Sequence, residues 1–87
     1  MTETVRVWLV DRDYEHESMV KLVYATPDGD RHVTQQRSTA LLRKKPVTAG
    51  LDVESDRLET VPDEETRERY AAEAERVADQ HDPEERI

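Results

Sequence analysis

The segment Thr26–Asp30 (TPDGD) constrains the fold of this chain more than any other. Its proline presets the backbone angle of a tight turn, and its Asp-Gly pair tolerates the positive φ angles that hairpin turns require. The residues before it, Met19–Thr26, alternate in a strand pattern with apolar residues on both faces, as in a central strand. The residues after it, Arg31–Arg37, include a single strong apolar residue, and their charges suit a sheet edge. The sequence therefore predicts an antiparallel hairpin over residues 19–37.

Two more strands are predicted on either side of this hairpin. Thr4–Val10 alternates between two faces, one of which carries Trp8, the only tryptophan. Val47–Val53 repeats the same period-two pattern. Between the first strand and the hairpin, Asp11–Glu17 (DRDYEHE) is too charged to be buried. A loop is expected there.

Two helical segments are predicted. Ser38 or Thr39 can cap a short helical turn that Pro46 ends, although the third strand could instead run on. Pro62–Gln80 has acidic residues in its first turn, which complement the helix dipole, and a narrow apolar stripe at helical spacing. The stripe consists of Tyr70, Ala74, Val77 and Ala78. The last residues, His81–Ile87, are expected to fray.

These elements predict one α+β domain over residues 1–80, followed by a frayed acidic tail over residues 81–87. The expected architecture has two layers: a mainly antiparallel sheet of three or four strands, and the C-terminal helix packed on one face. A domain of 87 residues buries only about 60% of its unfolded surface, so its core is marginal. A second subunit would add burial.

The composition indicates where such a domain works. It has no cysteine, which excludes disulfides and thiolate chemistry. The first ten residues lack the apolar core of a signal peptide, and no apolar run approaches the ~18 residues of a membrane span. We therefore expect a cytoplasmic protein.

The charged residues are distributed in a characteristic way. Acidic residues outnumber basic ones 21 to 13, and the bases comprise ten Arg but only three Lys. This acid-rich, Lys-poor, cysteine-free composition resembles that of proteins from salt-accumulating haloarchaea. The resemblance implies that the net charge of −8 serves solubility in concentrated salt and does not mark a site for cationic ligands.

An acid-free stretch runs from Arg31 to Leu51 and carries five basic residues. Arg31, Arg37, Arg43, Lys44 and Lys45 could contact the phosphates of a polyanion. Alternatively, the stretch could neutralise the chain's own acidic helix, or form a strand edge that meets a second subunit. Residues 1–50 hold seven acids and eight bases, whereas residues 51–87 hold fourteen and five. A dedicated nucleic-acid domain is usually basic overall, which favours the other two readings.

An apolar surface is also expected on the strand face opposite Val5, Val7 and Leu9. If one helix covers only one side of the sheet, this surface would be exposed and would mark an interface. Together with the edge of the third strand, the predicted interface residues are Trp8, Val10, Met19, Val23, Arg31, Val33 and Arg37. The alternative is that Trp8 packs beneath the Leu41–Leu42 segment or a long loop.

No catalytic or metal-binding constellation is recognisable, so neither a cofactor nor a metal is predicted. Asp11, Asp13 and Glu15 resemble the start of a calcium loop, but His16 replaces the required glycine and Leu22 the required glutamate. The three histidines are scattered, and two glycines cannot build a phosphate loop.

The sequence therefore favours a non-catalytic interaction module, either a homodimer or an accessory subunit of another protein. The second hypothesis is a polyanion- or RNA-binding domain that uses the acid-free stretch.

Overall fold

The computed structural model describes residues 3–87, except for the side chains of Glu15 and His16. These residues form one five-stranded antiparallel sheet and two helices, which confirms the α+β class with more strands than the three or four expected. The strands are β1 Thr4–His16, β2 Met19–Ala25, β3 Arg31–Ser38, β4 Gly50–Glu54 and β5 Glu59–Thr60; the helices are α1 Thr39–Lys44 and α2 Glu64–Gln80. The strands lie in the order β4-β1-β2-β3-β5.

The predicted hairpin is present. β2 and β3 pair from Met19 opposite Ser38 to Ala25 opposite His32. In the turn, the amide of Gly29 donates to the carbonyl of Thr26 at 2.8 Å, and Gly29 has a φ of 75°. This positive φ is the conformation that the Asp-Gly pair predicts for the turn.

The loop expected over Asp11–Glu17 is wrong, because β1 continues as a strand to His16. It pairs with β2 along this length, with Asp13 opposite Lys21, and its register shifts twice. The side chains from Asp11 to Tyr14 are all exposed. β4 does not extend this far, so this part of β1 pairs with β2 alone, and its charged side chains stay in water. A strand therefore forms here without a buried face.

The sheet is strongly curled. β4 and β5 are its two edges, yet only residues 55–58 connect them. In a flat sheet, four strand spacings of about 4.8 Å would separate these edges by about 19 Å. Five fully extended residue steps reach only about 17 Å, and Ser55–Arg57 forms a compact 3-10 turn instead. The sheet must therefore curl until its edges approach each other.

The larger core lies inside this curl. It contains Val7, Leu9, Val20, Leu22, Tyr24, Val33, Val47 and Val53. Leu42 from α1 and Leu58 from the connection between the edges pack against it. Leu51 and Ile87 also pack against it, so this face is covered without a long helix.

Helix α2 packs on the other face, contrary to the expectation that the Trp8 face would be exposed. Trp8, Ala49, Ala74 and Val77 form a second, smaller core beneath it. Asp63 caps the helix, since its Oδ2 accepts from the amide of Thr66 at 2.9 Å. The alternation of β1 is as predicted, with Val7 and Leu9 on one face and Trp8 on the other, but the sheet curls around the first face and α2 covers the second.

The frayed tail predicted over His81–Ile87 is also wrong. The carbonyls of Pro83 and Glu85 accept from the amides of Gly50 and Ala49 at 2.9 and 2.8 Å. The amide of Ile87 donates to the carbonyl of Val47 at 3.0 Å, and its side chain packs against both cores. The tail is ordered because it pairs with residues 47–50 and supplies an apolar anchor.

The segment after β3 forms the short capped helix and not a longer strand. Ser38 is the N-cap of α1, and its Oγ accepts from the amide of Leu41 at 3.1 Å. The predicted strand Val47–Val53 begins only at Gly50, since residues 47–49 bond to the tail instead.

Candidate protein interface

The outer side of β3 is only partly covered. β5 pairs with Arg31 and His32 alone. Along the described chain, no other strand pairs with this side of β3, so the stretch Val33–Ser38 is an open edge. Open strand edges present unpaired backbone donors and acceptors that can pair with another chain. We refer to this stretch as the β3 edge.

The register identifies the backbone groups that point outward. The carbonyl of Arg31 accepts from the amide of Thr26, so the backbone groups of Arg31 face β2. In an antiparallel ladder, these groups alternate between the two sides of a strand from one residue to the next. The N–H and C=O groups of Thr34 and Gln36 therefore point away from the sheet. They give two residues with which an added strand can pair.

The side chains along the β3 edge are mostly polar and neutral. Val33 is 7% exposed and belongs to the core inside the curl. Arg37 is half-buried on the same face, and its Nη2 donates to the Oε1 of Gln35 at 2.8 Å. Thr34 and Gln36 point to the opposite face and are exposed. β3 itself carries no carboxylate that would repel an acidic partner.

Tyr24 lies on β2 opposite Val33 of β3. The side chain is fully buried, and this burial raises the pKa of its hydroxyl. The positive charges of Arg37 and Arg12 lower this pKa, but burial has the larger effect. The hydroxyl therefore remains a neutral phenol at ordinary pH.

The five cations of the acid-free stretch do not form a single patch. Arg31 and Arg37 lie six residues apart on β3, which is about 20 Å at the rise of a strand. Arg43, Lys44 and Lys45 are exposed at the end of α1 that follows β3. The chain therefore places four of the cations towards one end of β3 and Arg31 at the other.

These cations do not neutralise the acidic helix through direct ion pairs. Between side chains that the structure describes, ion pairs join Arg6 with Asp52, Arg76 with Glu73, and His81 with Glu85. None of these pairs links the acid-free stretch to α2. The positive charge of the acid-free stretch is therefore not neutralised by ion pairs with α2.

The predicted Trp8 surface is not available to a partner. Trp8 and Val23 are buried, and Val10 and Met19 are half-buried. This part of the interface prediction is wrong because α2 covers the face. The predicted β3 residues Arg31, Val33 and Arg37 do lie along one strand, although Val33 contributes to the core. β5 is two exposed polar residues long, and no sequence pattern predicts it.

The acidic segment of β1 does not form a metal centre in the described part of the chain. Asp11 and Asp13 are exposed on the second half of β1. No three His, Asp or Glu side chains among those described lie close enough together to hold a metal ion. The side chains of Glu15 and His16, which belong to this segment, lie outside the described residues.

Together, the fold and the open edge define a small α+β domain with a polar strand available for pairing. Neither described helix combines the length and apolarity needed to cross a lipid bilayer. The chain belongs to a protein family described as a family of unknown function, DUF7967, whose model matches residues 1–87. No curated protein and no solved structure matches the chain.

Proposed function

We propose that this chain is a non-catalytic interaction module of a high-salt cytoplasm, and that it forms a homodimer through the β3 edge. The observation that carries this proposal is that β5 covers only two of the eight residues of β3. Adding a strand to an open edge gives affinity through main-chain hydrogen bonds. A two-fold pairing of β3 with β3 would also remove the edge from both copies.

A symmetric antiparallel pairing is compatible with the side chains. If Gln36 lies on the two-fold axis, Thr34 faces Ser38 of the second copy, and Gln35 faces Arg37. The backbone groups of Gln36 and Thr34 point outward, as this pairing requires. The bond from Arg37 to Gln35, 2.8 Å long within one chain, could then form between chains. No two like charges lie directly opposite each other, which would be destabilising.

Salt should control this dimer, because each copy carries a net charge of −8 and the copies repel each other at low salt. Antiparallel pairing also places the cationic α1 end of each copy (Arg43, Lys44 and Lys45) towards the Arg31 end of β3 in the other copy. The screening length falls from about 10 Å at 0.1 M to about 3 Å at 1 M salt, so concentrated salt weakens the repulsion. Self-association is therefore expected to strengthen as KCl rises. An acidic partner strand would show the opposite dependence.

Sedimentation velocity over a KCl series tests the proposal. Gln36→Pro removes the outward amide and should give a monomer, because proline cannot donate to a strand ladder. Gln36→Ala keeps that amide and is the matched control, so it should dimerise like the wild type. Circular dichroism verifies that both variants fold. A wild type that stays monomeric at every KCl concentration, or a Gln36→Pro variant that dimerises normally, contradicts the proposal.

A second candidate function is polyanion binding through Arg31, Arg37, Arg43, Lys44 and Lys45. The exposure of the last three residues, and the absence of an ion pair from them to α2, favour it. A labelled RNA should bind more weakly when all three become Ala, and its affinity should fall with salt. No binding at any salt at which the protein stays folded would exclude this function.

A further inference from the structure

A groove of about 360 Å³ lies where β5 stops covering β3. It is lined by Val33, Thr34, Arg57 and Glu59. The pairing of β5 with β3 begins only at Glu59, because the chain before it turns away from β3 through the 3-10 turn Ser55–Arg57. The groove is therefore bounded by the β3 edge on one side and by residues 55–59 on the other.

The segment beside this groove is acidic. Glu54, Asp56 and Glu59 are exposed, and Arg57 is the only base among residues 54–60. None of the ion pairs between described side chains includes one of these three carboxylates. We refer to residues 54–59 as the acidic connection. Its negative charge is available to a partner.

The cationic α1 end has the complementary charge. Its three bases are exposed, and none of them forms an ion pair with a described carboxylate. α1 follows the last residue of β3, whereas β5 pairs with its first two. The eight residues of β3 span about 23 Å at the rise of a strand. Within one copy, the length of β3 therefore keeps the two charged segments apart.

Two-fold pairing of β3 with β3 brings these segments together. With Gln36 on the axis, Ser38 of the second copy faces Thr34, which lines the groove. In the second copy, α1 begins at the next residue, Thr39, and so it leaves the strand beside the groove. α1 is six residues long, which is about 9 Å, so its cationic end stays near the acidic connection of the first copy.

Both segments also lie on the same side of the joined sheet. Leu42 of α1 and Leu58 of the acidic connection pack against the core inside the curl. The two-fold axis of an antiparallel strand pair is perpendicular to the sheet, so the inner faces of both copies stay on one side. α1 of one copy therefore approaches the acidic connection of the other on this inner side.

We infer that the cationic α1 end of each copy pairs with Asp56 and Glu59 of the other copy. This inference rests on the proposed β3 dimer, and it names the contacts that set the register of that dimer. The symmetry forms the contact twice. Complementary charges across an interface select the orientation of the partner more than they add affinity. Concentrated KCl weakens the long-range repulsion between the two acidic copies more than it weakens contacts between adjacent charges.

Charge reversal tests this contact at the lowest KCl concentration at which the wild type dimerises. Asp56→Lys with Glu59→Lys raises the net charge of each copy by four units, from −8 to −4. Weaker general repulsion alone would strengthen the dimer, whereas loss of the contact should weaken it about tenfold, because several exposed ion pairs become repulsive. Glu75→Lys with Asp79→Lys makes the same change of charge at exposed residues of α2 and is the matched control. The control should dimerise at least as well as the wild type.

Reversal of the other partner completes the experiment. Lys44→Glu with Lys45→Glu should weaken the dimer, and all four reversals together should restore it, because the net charge is again −8 and the pairs form with exchanged signs. Sedimentation velocity measures the dimer, and circular dichroism verifies that each variant folds. If reversal of Asp56 and Glu59 strengthens the dimer as the α2 control does, or if the four reversals together do not restore it, the inference is overturned while the β3 dimer stands. A wild type that stays monomeric at every KCl concentration overturns both.

Discussion

Gly29 links the hairpin turn to helix α2, and replacing it tests how closely they pack. A Cβ added at this residue would lie 2.1 Å from the carbonyl oxygen of Arg67 and 2.8 Å from the amide nitrogen of Ala71. Both atoms belong to the helix backbone and cannot rotate away. Gly29→Ala therefore requires α2 to move by about 1 Å, because Cβ contacts below 3.0 Å are essentially never seen.

Two costs add up in this variant. A residue with a Cβ at the left-handed φ of 75° loses about 1–2 kcal/mol relative to glycine. Forcing extra atoms into a packed contact typically costs a further 1–3 kcal/mol. We expect the free energy of unfolding to fall by about 3 kcal/mol. That is a large fraction of the roughly 4–13 kcal/mol typical of a domain of this length.

Urea unfolding followed by Trp8 fluorescence measures this change. Trp8 is the only tryptophan and packs beneath α2 with Ala74 and Val77, so its emission reports the docking of the helix. In Gly29→Ala, the native emission should shift to longer wavelength, since a displaced helix exposes the indole.

Gly50→Ala is the matched control for this experiment. Its added Cβ would meet Pro83 and the carbonyl of Val7 no closer than 3.2 Å, and its φ is not positive. A loss below about 1 kcal/mol is expected, because a shift of a few tenths of an ångström relieves the contact. If Gly29→Ala were within about 0.5 kcal/mol of the wild type with unchanged emission, the close packing of turn and helix would be refuted.

Three further variants test other parts of the structure. Ile87→Ala should lower the free energy of unfolding by about 1–2 kcal/mol, because a half-buried side chain that packs against both cores is removed; no change in urea unfolding would mean that the tail is not docked. His32→Leu should raise it by about 1 kcal/mol, because the buried Nδ1 of His32 has no hydrogen-bond partner; a loss in the same assay would show that contact with Tyr70 matters more. The hydrogen bonds to Asp28, first from Thr26 and then from the amide of Asp30, hold the pKa of its carboxyl below the usual value. The ionised carboxyl of Asp28 therefore stabilises the folded protein fully above the ordinary carboxyl pKa. This stabilisation is lost as the pH falls through the lower pKa that Asp28 has in the folded protein. Acid titration of stability should show a shallower loss for Asp28→Asn than for the wild type, and an equal loss in both would refute this role.

Local signals in the sequence predicted most of the secondary structure. The Asp-Gly turn, the cap at Ser38 and the helix after Pro62 follow from the backbone preferences of a few adjacent residues, and all three are present. The pairing of β2 with β3 then follows from the turn.

The errors concern contacts between distant residues. Nothing near Trp8 indicates which face α2 will cover, because that depends on the curl of the whole sheet. The tail is ordered by backbone hydrogen bonds to residues 47–50. Backbone groups are nearly the same in every residue, so a pattern of side chains does not predict these bonds. The charge of Asp11–Glu17 predicts a loop because it excludes burial, but pairing with β2 alone is sufficient to form a strand.

The candidate interface also combines a feature that local sequence predicts with one that depends on distant contacts. The low apolar content of Arg31–Arg37 predicted an edge strand, and most of that edge is open along the described chain. β5 could not be anticipated, since Glu59 and Thr60 pair only because the connection places them there. The register shift of β1 between Leu9 and Asp11 is also not predictable, since no residue type marks it in the sequence.

The four residues that connect β4 with β5 have a consequence for how this family can vary. Loops on protein surfaces usually tolerate insertions, because each doubling of their length costs only about 0.6 kcal/mol. Residues 55–58 are different, since their short span holds the two edges of the sheet together and Leu58 closes the core between them. An insertion here would let the edges separate and admit water to that core, although no strand residue had changed. Members of the family are therefore expected to differ in length elsewhere and to keep this connection short.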